Sequence, residues 1–137
     1  MAKYLFAIIL LMPWPYSAHA SDIDSILDDC SKDRSHADMS ECVQANASAS
    51  SAALKSAESA LLTHISKRRE EPVFIARMKK TFEDGTMAFQ QYRQKQCDFY
   101  ASMAAGGNSA GDLRLACITD FNNKRIDELQ WASHNWE

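Results

Sequence analysis

The sequence predicts an all-α fold: an antiparallel three-helix bundle with a short N-terminal helix, held by two disulfides. Three observations lead there. Apolar side chains recur every three or four residues over three long stretches, which places them along one side of a helix. No stretch alternates apolar and polar residues for long enough to make a strand. Four cysteines, Cys30, Cys42, Cys97 and Cys117, are an even number in a chain of 137 residues, and the last two are centred on the strongest turn signal it contains.

Residues 1–20 read as a cleavable export signal. Lys3 supplies the positive start, an apolar run extends from Tyr4 to Met12, and Pro13 and Pro15 end any helix that run begins. Ala18 and Ala20 place small residues where a signal peptidase needs them, so cleavage is expected after Ala20 and a single domain follows over 21–137. A membrane-spanning helix needs about 20 apolar residues, more than this run provides, and no cysteine stands at the cleavage point to carry a lipid. The expected location is therefore the periplasm or the exterior, with no membrane anchor. Without Lys3 the chain carries 14 basic against 18 acidic side chains, a net charge of −4. That balance argues against nucleic acid as a partner, because a phosphate-binding surface needs a basic patch.

The first mature element is a short amphipathic helix within Asp22 to Asp29, with Ile23, Ile26 and Leu27 on its apolar side. The first long helix is expected from about Met39, with Asp38 as cap, Glu41 completing a capping box, and Met39, Val43, Ala47, Leu54, Leu61 and Ile65 facing the core. Its alanine- and serine-rich middle, Ala45 to Ala60, lacks glycine and proline, so helix is favoured over linker. Lys67, Arg68 and Arg69 follow, where the helix dipole favours cations.

Pro72 opens the second long helix, whose apolar side is Ile75, Met78, Phe82, Phe89, Tyr92, Phe99 and Met103. Gly85 interrupts this pattern without ending it. Ala104 to Gly111 is a turn rich in glycine, and Ser109 or Asp112 caps the third helix, which runs to about Trp131 along Leu115, Ile118, Phe121 or Asn122, Ile126 and Leu129. Because Gly106 and Gly107 lie midway between Cys97 and Cys117, a helical hairpin would bring those two cysteines together. Cys30 would then pair with Cys42. No CxxC and no cluster of cysteine with histidine is present, so neither metal nor cofactor is expected.

The second half resembles the LprI-type lysozyme-inhibitor domain of small secreted bacterial proteins. The likeness is carried by Phe89, Tyr92, Arg93, Cys97, Asp98 and Phe99, then Gly106 and Gly107, then Cys117, Ile118, Arg125 and Leu129, and Cys30 and Cys42 match the family's N-terminal cysteine pair. Where the family has tryptophan, an acid and threonine, this chain has Phe89, Gln94 and Asn122, and Glu58 stands where an aromatic is usual. The resemblance implies an all-helical, disulfide-bonded domain and a protein partner, a basic hydrolase of the lysozyme type.

No serine lies in a GxSxG or SxxK setting, and His36, His64 and His134 are scattered, so an enzyme is not expected. The expected contact residues are Gly106, Gly107, Asn108, Ser109 and Asp112 of the loop, with Arg93 and Arg125 as anchors for a partner's carboxylates. The competing role for the two arginines is pairing with acids inside the bundle, at Asp98, Asp120 or Glu128, and that role is the favoured one. Tyr92 is expected as a core aromatic. The alternative function is an immunity or chaperone-like interaction protein of the cell envelope that does not inhibit lysozyme.

Overall fold

The structure, a computed structural model, describes residues 22–135. The expected export signal lies outside the described residues. Within them the chain forms four helices and no strand: α1 (Asp22–Ser31), α2 (His36–Ser66), α3 (Pro72–Met103) and α4 (Ala110–Asn135).

Helix α1 carries Asp22 and Asp24 in its first turn, where the exposed amides favour negative charge, and buries Ile23 and Cys30. Helix α2 begins three residues before the expected Met39. Ser35 is its cap: the Ser35 hydroxyl accepts the Asp38 amide at 3.3 Å and donates to the Asp38 carboxylate at 2.7 Å. Asp38 thus stands at the third helical position and accepts the cap's hydroxyl instead of being the cap itself, because Ser35 meets the free amides one turn earlier. The alanine- and serine-rich stretch is helical throughout and buries Ala47, Ser50 and Leu54.

Helix α3 starts with Pro72 and runs unbroken through Gly85 to Met103. Its packed side differs from the expected one beyond Phe89. Tyr92, Phe99 and Met103 are 57%, 56% and 64% exposed, while Cys97 is fully buried. At about 100° per residue, Arg93, Gln96 and Tyr100 project within roughly 40° of Phe89, whereas Tyr92 and Phe99 lie roughly 60–80° to the other side. The aromatic residues suggested a stripe that the helical period does not sustain. Helix α4 starts directly after Ser109, and the Leu113 amide donates to the Ser109 carbonyl at 2.9 Å. It continues past Trp131 to Asn135 and touches all three other helices.

Two apolar clusters result. One gathers Ile23, Cys30, Val43, Cys97, Ala116 and Cys117, with Leu113 and Tyr100 packed against them. The other gathers Leu54, Leu61, Ile65 and Leu129, backed by Ile75, Met78, Phe82, Phe89 and Ile126. Both disulfides lie in the first cluster: Cys30 with Cys42 and Cys97 with Cys117, their Cα atoms 5.6 Å and 5.5 Å apart. Along α2 and α4 the clusters are separated by a polar seam. Asn122, fully buried, donates to Ser50 at 3.0 Å and to Ser51 at 3.2 Å.

Candidate functional site

The α3–α4 turn projects from the disulfide end. Ala105 and Gly106 adopt positive φ of 49° and 77°, which reverses the chain within a few residues. A side chain at Gly107 would put its Cβ 3.1 Å from the Ala104 carbonyl, to which the Gly107 amide donates at 2.9 Å, so the small residues here follow from the turn's closeness. Gly106, Gly107, Asn108 and Ser109 are all exposed. Among the described residues the Asn108 side chain makes no hydrogen bond, so its amide is available on the tip. The Cys97–Cys117 bond ties the two helices together seven residues either side of Ala104 and Ala110.

Asp112 is placed differently from its neighbours in the loop. It is 5% exposed, accepts a hydrogen bond from Ser40 at 3.0 Å and lies 3.5 Å from the His36 imidazole. It therefore fastens the foot of the loop to the start of α2 and does not face outward.

Arg93 and Arg125 converge on one aromatic ring, each guanidinium 5.5 Å from the centroid of Phe89. Arg125 also pairs with Glu128 at 2.9 Å, one of the acids expected for it. Arg93 donates instead to the side-chain oxygen of Asn122. Burial pushes the Arg93 pKa down from the usual guanidinium value, and the nearby Glu58 carboxylate acts against that shift. The other two expected acids have different partners. Asp98 accepts from Arg114 at 2.7 Å, and Asp120 holds Lys124 at 2.8 Å. The Arg114 hydrogen bond holds the Asp98 carboxyl below the ordinary carboxylate range. Tyr92, expected in the core, instead lies on the surface with its ring edge-on to Phe121, centroids 5.5 Å apart.

A family model described as lysozyme inhibitor LprI matches residues 28–129. The chain belongs to the LprI family. No curated protein and no solved structure matches it. The LprI match covers the parts of all four helices that build both disulfides and the loop, and the family is named for inhibitors and not for an enzyme. Three of the positions where this LprI chain departs from the resemblance, Phe89, Asn122 and Glu58, meet at Arg93 through a ring contact, a hydrogen bond and charge attraction. Arg93 is thus held by Phe89, Asn122 and Glu58 together.

The structure also shows a charge division that residue motifs do not. Asp22 to Glu41 contains seven acidic and two basic side chains, and it packs at the same end as the loop through Ile23, Cys30 and the Asp112 contacts. Residues 64–80 contain six basic and two acidic side chains and lie at the α2–α3 turn. The counts were available from the sequence, but which end of the molecule each segment occupies was not. Among the described residues no helix is long and apolar enough to cross a membrane, and no group of three or more histidine, cysteine or acidic side chains is placed to hold a metal.

Proposed function

We propose that the protein is an exported inhibitor of a lysozyme-type cell-wall hydrolase and acts in the periplasm or outside the cell by occluding the hydrolase's cleft. The LprI match carries this reading. The disulfide end is suited to the task. Cleavage in such clefts depends on two carboxyl groups, to which the Asn108 amide and the Ser109 hydroxyl would donate hydrogen bonds. The exposed Phe99 and Met103, on the last turns of α3, supply apolar contact beside the loop. The acidic segment from Asp22 to Glu41 suits a basic enzyme, steering its approach and raising the association rate. A loop fixed at its base by a disulfide loses less freedom on binding than an unrestrained one, which favours affinity. In the same reading the chain from Ser21 onward is one domain with its helices antiparallel.

The test is lysis of peptidoglycan by lysozyme in the presence of the purified, oxidised protein. Lysis is expected to slow, and an Asn108→Gly, Ser109→Ala double variant is expected to lose at least about tenfold in potency, the effect of two lost hydrogen bonds. Unchanged lysis together with no binding at micromolar concentrations would overturn the proposal.

A further inference from the structure

A groove of about 430 Å³ opens between α2, α3 and α4 at the end opposite the loop. Its floor is apolar: Leu61, Ile65, Met78, Phe82, Leu129 and Ala132. Its rim is not. Arg68, Arg77, Arg125 and His64 line it together with one carboxylate, Glu128, and Arg68 is paired with Glu70 at 3.6 Å. The Glu128 carboxylate is already bonded to Arg125 at 2.9 Å. Arg77 is exposed, lies 5.9 Å from the ring of Phe74, and has no carboxylate within ion-pair distance among the described residues. The His64 Nε2 atom is buried and makes no hydrogen bond among the described residues.

The volume falls within the roughly 300–1,000 Å³ of small-molecule sites. A lining that is apolar within and cationic at the edge matches a ligand with one alkyl chain and one anionic head. The setting reinforces this, because the groove sits in the basic segment of a chain whose net charge is −3.

We propose that this groove binds a single-chain anionic amphiphile, an alkyl chain carrying a carboxylate or phosphate head. The chain lies on Phe82, Met78 and Leu129, and the head meets Arg77 at the rim. Phe82 and Met103 are separated by about 30 Å along α3 at 1.5 Å per residue, so the site is distinct from the inhibitory loop and does not rest on the lysozyme reading.

The proposal is tested by calorimetric titration of the oxidised protein with decanoate, decyl phosphate, decanol and decyltrimethylammonium, all below micelle-forming concentrations. The two anions are expected to bind about tenfold or more tightly than decanol, and the cation not to bind. Ala132→Trp fills the groove and is expected to abolish binding with helicity retained, and Arg77→Glu to weaken the anions several-fold while leaving decanol unchanged. If Ala132→Trp does not fold, the head-group series decides alone. Equal binding of anion, alcohol and cation would overturn the proposal, as would failure of both anions to bind. Co-flotation with phosphatidylglycerol vesicles without binding of the free amphiphiles would overturn it in favour of a bilayer surface.

Discussion

The two ends of the molecule hold themselves together by different means. At the loop end, two disulfides, a compact apolar cluster and the buried Asp112 fasten α1, α2, α3 and α4 to one another. At the α2–α3 turn there is no covalent link among the described residues, the cluster around Leu61, Ile65 and Leu129 is backed by half-buried side chains, and a groove remains open. The difference teaches where each of the two proposed kinds of binding belongs. A surface meant to enter another protein's cleft gains from rigidity, whereas a site that admits an alkyl chain needs room between helices.

The largest expected effect comes from cutting the covalent tie. A 20-residue loop closed by Cys97 and Cys117 restricts the unfolded chain by about 3 kcal/mol. The Cys97→Ala, Cys117→Ala variant should lose about that much stability in urea, and hydrogen exchange should quicken around Leu113 and Tyr100 before it does around Leu61. Equal loss of protection at both ends would erase the contrast.

The seam between the clusters comes next. Asn122→Leu removes the acceptor of Arg93 and the donor to Ser50 and Ser51, leaving a half-buried guanidinium without that partner. A loss of about 2–3 kcal/mol is expected by chemical denaturation. The unfolding slope should stay unchanged if the two clusters still melt together.

The smallest effect is a pH dependence at the surface of the loop end. The Asp98 carboxyl is held below its ordinary range by Arg114, so the folded form binds its proton less readily than the unfolded form. The stabilisation is complete above about pH 4, the ordinary value for aspartate, and fades as pH falls through the depressed value. The melting-temperature difference between wild type and Asp98→Asn should therefore be constant from neutral pH to about pH 5 and shrink in stronger acid. A difference that grows on acidification would contradict the assignment.

Much of the architecture was legible in the chain because the signals were local. Pro72 marked a helix start, Gly106 and Gly107 marked a turn, and the position of that turn between Cys97 and Cys117 anticipated their bond. Errors arose where local signals competed. Ser35 and Asp38 are both good caps, and the choice depends on which meets the free amides first. Tyr92 and Phe99 are large and apolar, but a few tens of degrees of helix phase leave them outside the packed face, and Met103 is exposed as the last residue of α3.

The candidate site was legible to a lesser degree. The loop residues Gly106 to Ser109 are exposed as their composition suggests, but nothing local in the sequence marks Asp112 as buried. Its burial depends on Ser40, 72 positions away in the chain. Arg93 and Arg125 stood out as charged residues on different helices, yet their common ring at Phe89 and the role of Asn122 depend on how α3 and α4 meet.

Sequence alone determined the helices, the turn at Gly106 and Gly107, and both cysteine pairs, because propensity, punctuation and loop spacing act over short distances. Tertiary structure alone decided which charges share an end, which aromatics remain exposed and where the groove opens. Those properties depend on the relative phase of helices brought together from distant parts of the chain, and no local pattern records it.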